Sequence, residues 1–293
     1  MRQAPEDQRG SVIILVLWGL VIVMALLSAA AVTSQTEIRI ARNASTAARV
    51  RAAAEGGTQL GLAHLLARRA AGTALFDGTP ETWHDGAVSV TIAIRDEAGK
   101  IDLNQAPPEL LEGLFEAVGR PREEATLIAC RIVERRGGEP CFTPAGDDAT
   151  SRHSALFAAP EQLASLPGVG DRVYSLVADD VTVATGAAAI DPAVASRTAL
   201  LALPGATAAL VDSYLAFRGT QREFGTDDSG FEVLSSYGYV MVSPARDFTI
   251  SAVATMPGGA RYRADLQVRL TEQPGRPYEV IAFRAPPATA AQR

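Results

Sequence analysis

An uncharged apolar run near the amino terminus constrains this chain more than any other feature. Residues 11–32 contain no Asp, Glu, Lys or Arg, and Ile, Leu, Val, Trp and Met dominate them. About 20 consecutive apolar residues are enough for a helix to cross the hydrocarbon core of a bilayer. The run therefore predicts a transmembrane helix, preceded by a polar segment over residues 1–10.

Three interpretations of this segment are open. Ala29-Ala30-Ala31 resembles the cleavage site of an ordinary signal peptide, although the apolar region of such peptides usually spans only about 7–15 residues. The segment is also compatible with a plain single-pass anchor, which the positive-inside rule does not orient, because arginines occur on both sides of it. In the third interpretation a peptidase cuts after Gly10, and the apolar helix becomes the new amino terminus.

The residues that follow the apolar run favour the third interpretation. Residues 37–71 contain no proline, and good helix formers fill most of these positions. A continuous helix over residues 11–70 would be about 90 Å long at about 1.5 Å per residue. We expect its first half to lie in a membrane and its second half to lie on a sheet. A cleaved signal peptide has no reason to continue as such a helix.

The strands of that sheet are predicted from alternating apolar and polar residues. The alternating segments are residues 88–94, 248–254 and 261–270, and a last strand is predicted over 278–283. About 150 residues separate the first of these strands from the others. Either two domains exist, or one sheet is interrupted by an insertion.

The segment between the strands has the patterns of short helices. Pro107 and Pro108 open a helix whose leucines share one face. Further helices are predicted over residues 123–136, 160–166, 171–178, 192–203 and 206–218.

The start of the apolar run resembles the processing site of the type IV pilin and type II secretion pseudopilin superfamily. Arg9-Gly10 is followed by Ser11 and seven further uncharged residues up to Trp18. The resemblance implies that a prepilin peptidase cleaves between Gly10 and Ser11 and that the new amino terminus is methylated. Most members have glutamate at the fifth mature position, where this chain has Leu15. That glutamate is typically absent from protein K, the tip pseudopilin. A subunit at the tip has no neighbouring subunit above it, so the carboxylate would be buried without a partner, which costs free energy.

Two later segments resemble the protein K family of type II secretion. Residues 96–106, D-E-A-G-K-I-D-L-N-Q-A, are similar to its D-E-x-G-K-I-[ND]-L-N-x-A pattern, and residues 191–205 resemble its N-P-x-x-A…L-x-x-L-P-G segment. The resemblance implies an α+β fold, in which a pilin-like long amino-terminal helix packs on a small antiparallel sheet with a large inserted α-helical domain (SAM-like or helix-hairpin-helix-like). The expected parts are a leader (1–10), the transmembrane part of the helix (11–32), its periplasmic part (33–71), the sheet (72–104 and 240–285), the inserted domain (105–239) and a tail (286–293).

The function implied by the resemblance is that of a minor pseudopilin at the tip of the type II secretion pseudopilus. It would initiate or cap assembly of the pseudopilus for protein export across the outer membrane. The expected partners are other minor pseudopilins, the prepilin peptidase and the inner membrane, with a single membrane pass and the carboxyl-terminal domain in the periplasm. A periplasmic binding protein with an ordinary signal peptide is an alternative.

A second alternative is a minor pilin of a type IV or competence pilus that contacts DNA. Residues 166–170, L-P-G-V-G, resemble a helix-hairpin-helix loop, whose N–H groups can bind a phosphate. Asp171, Asp179 and Asp180 follow and would repel a phosphate, and the formal net charge of the chain is -6. We therefore expect no nucleic acid partner and interpret the loop as a turn between packed helices.

Two further groups of residues are candidates for a metal site and a disulfide. Asp147 and Asp148, with Glu139 as an additional ligand, are candidates for a calcium site, although calcium takes about 6–8 oxygen ligands and the sequence offers few there. Cys130 and Cys141 are able to form a disulfide in an oxidising compartment, which would contribute roughly 2–3 kcal/mol. Apart from calcium, no cofactor is expected.

Catalytic motifs are absent from the sequence. It contains no G-x-S-x-G, H-E-x-x-H, P-loop or G-x-G-x-x-G motif. The three histidines (His64, His84 and His153) and the two cysteines match no zinc-ligand spacing. We therefore expect that the chain is not an enzyme.

Overall fold

One long helix, α1 (Gln8–Ala70), opens the computed structural model. The structure describes residues 8–72, 75–138, 155–224, 238–273 and 275–285, without the side chains of 8–12, 29–36 and 221–224. The helix is 63 residues long. It is continuous because no proline interrupts it, so the predicted helix over residues 11–70 is confirmed.

Seven strands are found among the described residues. They are β1 (Asp77–Asp85), β2 (Val88–Asp96), β3 (Ile101–Asp102), β4 (Val181–Thr182), β5 (Asp247–Thr255), β6 (Arg261–Gln273) and β7 (Arg276–Arg284). Five of them form an antiparallel sheet in the order β1-β2-β5-β6-β7, whereas β3 and β4 form a short parallel pair. The strands predicted from alternation fall within β2, β5, β6 and β7.

The first strand, β1, is not predicted by the sequence. It contains Gly78 and Pro80 and few residues with high β-propensity. It forms nevertheless because a tight turn joins it to β2, against which it pairs in an antiparallel register with Trp83 opposite Val90. Local propensity is overridden here by pairing with a strong neighbouring strand.

The carboxyl-terminal half of α1 packs on one face of the five-stranded sheet. Its buried residues share a core with the apolar residues of β2, β5 and β6. Two glycines allow the close approach: a Cβ atom at Gly57 would lie 2.7 Å from Val90 Cγ1, and one at Gly61 would lie 2.5 Å from Ile250 Cγ2. The alternation in these strands thus places apolar side chains against α1 and polar ones on the opposite face.

The segment between β2 and β5 is mainly helical and has a core of its own. Its helices are α2 (Pro108–Ala117), α3 (Arg122–Arg135), α4 (Gly170–Val177), α5 (Arg197–Leu201) and α6 (Ala208–Phe224), with 3-10 helices at Glu97–Gly99 and Pro160–Ser165. We call residues 97–246 the insertion. The fold class is therefore α+β, as predicted: a long helix on an antiparallel sheet, with a helical segment inserted between two strands.

Two of the predicted helices differ from the structure. The helix predicted over 192–203 is confined to α5, because the Asp191 side chain accepts a hydrogen bond from the Ala193 N–H and holds a turn there. The Ser196 hydroxyl then accepts from the Ala199 N–H and caps α5. The helix predicted over 160–166 is a single 3-10 segment.

The insertion leaves the sheet at the end that is remote from the amino terminus of α1. Helix α1 and strand β2 run in the same direction, since Gly57 faces Val90 while Gly61 comes closest to Ile250 and Ile92. Strand β2 ends at Asp96, where the Asp96 N–H donates to the Phe76 carbonyl at 2.7 Å, just beyond the end of α1. The insertion therefore starts near the carboxyl-terminal end of α1.

Candidate functional site

The amino-terminal half of α1 extends beyond the sheet and is apolar. Along the described side chains of α1, the first buried one is Val50. The exposed apolar side chains that precede it are Ile13, Ile14, Leu15, Val16, Leu17, Trp18, Leu20, Val21, Ile22, Val23, Met24, Leu26, Leu27, Ile38 and Ile40. Exposed apolar surface of this extent marks contact with a membrane or with another protein.

No helix in the part of the chain with described side chains has an apolar stretch long enough to cross a membrane.

The predicted processing residues lie at the start of α1. Gly10 and Ser11 belong to the first turns of this helix, where the structure describes the backbone only. Leu15, at the fifth position after the predicted cleavage site, is 71% exposed. The cleavage and the tip position that Leu15 indicates both stay predictions.

The predicted calcium ligands Glu139, Asp147 and Asp148 lie outside the described residues. Within the described ranges, no group of three or more His, Cys, Asp or Glu side chains is arranged to hold a metal ion. Cys130 is buried on α3. Cys141 also lies outside the described residues, so the pairing of the two stays a prediction.

Buried and half-buried polar side chains fill the region where the sheet meets the insertion. We call this region the junction, and its members are Asp96, Glu97, Lys100, Asp102, Thr182, Asp191, Ser243 and Thr249. Charged side chains are rarely buried unless they are paired or hydrogen-bonded, so their partners decide what the region does.

Glu97 and Lys100 form a buried ion pair in the junction. Their side chains are 2% and 11% exposed, and the Lys100 ammonium donates to Glu97 Oε1. The Thr249 hydroxyl of β5 donates to the same oxygen at 2.7 Å, and the Thr182 hydroxyl of β4 donates to Glu97 Oε2. A single carboxylate thus connects the five-stranded sheet to the insertion.

Ser243 connects two further carboxylates. Its hydroxyl donates to Asp96 Oδ2 at 2.6 Å, and its N–H donates to Asp191 Oδ2 at 2.7 Å. The remaining oxygens accept from main-chain N–H groups, Asp96 Oδ1 from Ala98 at 2.9 Å and Asp191 Oδ1 from Ala193 at 2.8 Å. The outgoing chain at Asp96 and the returning chain at Ser243 are therefore held side by side.

Asp102 and Asn104 hold the start of the insertion. Asp102 Oδ1 accepts from the Asn104 N–H at 2.8 Å, and Asp102 Oδ2 accepts from the Gly186 N–H at 2.8 Å. The Asn104 side-chain amide pairs with the main chain of Phe157 in both directions, at 3.0 and 2.8 Å. These bonds fix two loops of the insertion to the segment that leaves the sheet.

Neighbouring acids in the junction have opposite pKa shifts. Burial raises the pKa of Asp96 to about 6, although hydrogen bonds from Ser243 and Ala98 oppose the shift. Burial also acts to raise the pKa of Glu97, but the Lys100 charge and the hydrogen bonds to Glu97 outweigh it, and that pKa is lowered. Glu97 therefore stays ionised at neutral pH, whereas Asp96 gains its proton in mildly acidic solution.

The junction explains the segment that resembles protein K, residues 96–106. The sequence pattern does not give the roles of Asp96, Glu97, Lys100 and Asp102. The local pattern gives no signal of their burial, since charged residues in a turn are usually exposed. The partners Thr182 and Thr249 are 85 and 152 residues away from Glu97, so no local pattern identifies them.

The loop over residues 167–170 joins the Pro160–Ser165 segment to α4, as the turn interpretation predicts. Gly168 and Gly170 have positive φ angles of 85° and 59°, which favour glycine. The Pro167 carbonyl accepts a hydrogen bond from the Arg131 guanidinium of α3, so the loop is fixed to its own domain.

Comparisons with known proteins give a match in structure only. No family model matches the chain, and no curated protein matches it. Its fold is similar to that of a chain in the crystal structure of the GspK-GspI-GspJ complex from the type 2 secretion system of enterotoxigenic Escherichia coli. The similarity covers 85% of this chain and 99% of that chain, with a TM-score of 0.55 and 15% sequence identity. The chain therefore shares the α+β fold of a component of that complex.

Proposed function

We propose that this chain is a minor pseudopilin of the protein K type, which acts at the tip of a type II secretion pseudopilus and is not an enzyme. The observation that carries the proposal is the shared fold, which extends over 85% of this chain and 99% of a chain of the GspK-GspI-GspJ complex. That complex contains three different proteins, so we expect this chain to assemble with other minor pseudopilins.

The position of the insertion supports a role at the tip. Pseudopilins that stack through their long helices would add further subunits above the carboxyl-terminal end of α1. In this chain the insertion starts near that end, and the junction holds it there through part-buried hydrogen bonds. A folded domain in this position would block the next subunit, so the chain caps the assembly.

The exposed apolar half of α1 supports membrane anchoring before assembly. A prepilin peptidase would release residues 1–10, after which the helix from Ser11 would hold the chain in the inner membrane with the sheet and the insertion in the periplasm. Leu15 then occupies the position where a filament-body subunit would present a carboxylate. Without that carboxylate the tip subunit avoids a buried unpaired charge.

Two measurements test the proposal. The chain is expressed with the other minor pseudopilins of its organism, and light scattering after size exclusion should show a heteromeric complex. Counting fluorescently labelled copies on isolated pseudopili should give one copy, at an end. A chain that stays separate from those subunits, or that occurs all along the filament, contradicts the proposal.

A further inference from the structure

A cleft lies between the insertion and the face of the sheet that α1 does not cover. Its volume is about 730 Å³, which is within the range of about 300–1,000 Å³ typical of ligand-binding pockets. Strands β2, β5 and β6 form its floor. Side chains of the insertion, among them Pro160, Tyr174, Asp179 and Val181, form the opposite wall.

The floor of the cleft has an ordered arrangement because strand register places its side chains in rows. Arg95, Thr249 and Gln267 are paired across β2, β5 and β6 and form one row. The next row contains Ser251 and Asp265. Neighbouring strands lie about 4.8 Å apart, so the Cα atoms of Arg95 and Gln267 are roughly 10 Å from one another.

Gln267 is a buried polar side chain that the fold itself does not use. It is 6% exposed and lines the cleft. Among the described residues, none forms a hydrogen bond with its side-chain amide. Neither atom of this amide is fully buried without a partner, so the amide is open to the space of the cleft. Its carbonyl and NH₂ groups match the N–H and C=O groups of a peptide bond.

Arg95, in the same row, has guanidinium N–H groups that are available to a ligand. One guanidinium nitrogen donates to the Asp179 carbonyl at 2.9 Å, and no described carboxylate lies within ion-pair distance of it. Two other arginines of the cleft are already paired, Arg263 with Asp265 at 2.9 Å and Arg284 with Glu161 at 2.9 Å. A guanidinium is suited to a carboxylate, which it binds through two donors.

We propose that this cleft binds an extended polypeptide segment that carries an acidic side chain. Gln267 pairs with a peptide group of the segment, Arg95 binds its carboxylate, and Val253 and Tyr174 contact its apolar parts. The inference stands apart from the role at the pseudopilus tip, because binding of a segment by the purified chain requires no other subunit.

The test uses the full chain in a mild detergent. Short random peptides displayed on phage are selected on it, and the affinity of the enriched peptide is measured by calorimetry. We expect enrichment of peptides with Asp or Glu. Gln267→Met and Arg95→Gln should each weaken binding about tenfold or more. Matched controls on β6 outside the cleft, Gln273→Met and Arg261→Gln, should leave the affinity unchanged.

The stability of the Gln267→Met chain separates a binding role from a structural one. Because the amide has no partner among the described residues, we expect this variant to unfold at the same urea concentration as the unmodified chain or at a higher one. A destabilised variant overturns the proposal, since the amide would then have a structural partner. The absence of enriched peptides, enrichment of peptides without acidic residues, or equal binding by the cleft variants and their controls also overturns it.

Discussion

Gly57 and Gly61 of α1 face the sheet, and replacing either of them by alanine should strain the packing. Gly56 lies in the same helix but away from the sheet, so Gly56→Ala is the control. Gly61→Ala would place a Cβ atom 2.5 Å from Ile250 Cγ2 and 3.0 Å from Ile92 Cγ2. In Gly56→Ala the added Cβ atom would have no neighbouring heavy atom within 4 Å. The same substitution in the same helix therefore has two different outcomes.

The magnitudes follow from helix propensity and packing. Alanine is more favourable than glycine in a helix interior by about 1 kcal/mol, and both variants gain this term. Overpacking a core costs about 1–3 kcal/mol. Ile250 cannot turn away easily, because β-branched side chains are stiff and it is fully buried. Gly56→Ala should thus stabilise the chain by about 1 kcal/mol, and Gly61→Ala should be roughly 1–3 kcal/mol less stable than Gly56→Ala.

Urea unfolding of the full chain in a mild detergent measures this difference. In a Trp18→Phe background the tryptophan fluorescence comes from Trp83 of β1. The ring centroids of Trp83 and of His64 of α1 are 5.2 Å apart, so the fluorescence reports whether the helix is packed on the sheet. Gly57→Ala, with its Cβ atom 2.7 Å from Val90 Cγ1, should behave like Gly61→Ala. Equal stability of the Gly56 and Gly61 variants would refute the close approach of α1 to the sheet.

The junction gives three further predictions, all measured by urea unfolding. Because the pKa of Asp96 is raised to about 6, its contribution to stability is complete below about pH 4 and is lost as the pH rises through 6, by roughly 3 kcal/mol. Asp96→Asn should remove that part of the pH dependence, and an unchanged slope between pH 4 and 7 speaks against it. Glu97→Gln should destabilise the chain by about 3–5 kcal/mol, since it leaves the Lys100 ammonium buried without its carboxylate; a loss below about 1 kcal/mol would be inconsistent with this. The double variant Glu97→Gln with Lys100→Met should recover part of that loss, and purely additive losses would show that the two side chains do not interact.

Much of the fold is predictable from local patterns. The absence of proline makes α1 continuous, and period-two alternation identifies β2, β5, β6 and β7. Strand β1 is not identified, because Gly78 and Pro80 oppose strand formation and only its pairing with β2 compensates for them. The extent of α5 depends on the Asp191 turn, which competes with the helix for main-chain N–H groups.

The junction and the cleft are less predictable because their residues are far apart in sequence. Sequence patterns place Glu97 and Lys100 at the surface by default, since charged residues are usually exposed. Their burial depends on Thr182 and Thr249, which only the finished fold brings together. Period-two alternation places Gln267 on the polar face of β6, but nothing in the sequence indicates that the insertion covers it.

The mature amino terminus tests the account of this chain as a pseudopilin most directly. The full chain is expressed with a prepilin peptidase, and the purified product is examined by amino-terminal sequencing and intact mass. We predict a chain that starts at a methylated Ser11, and that Gly10→Val abolishes the cleavage. A product that starts at Val32 would identify an ordinary signal peptide and contradict the account.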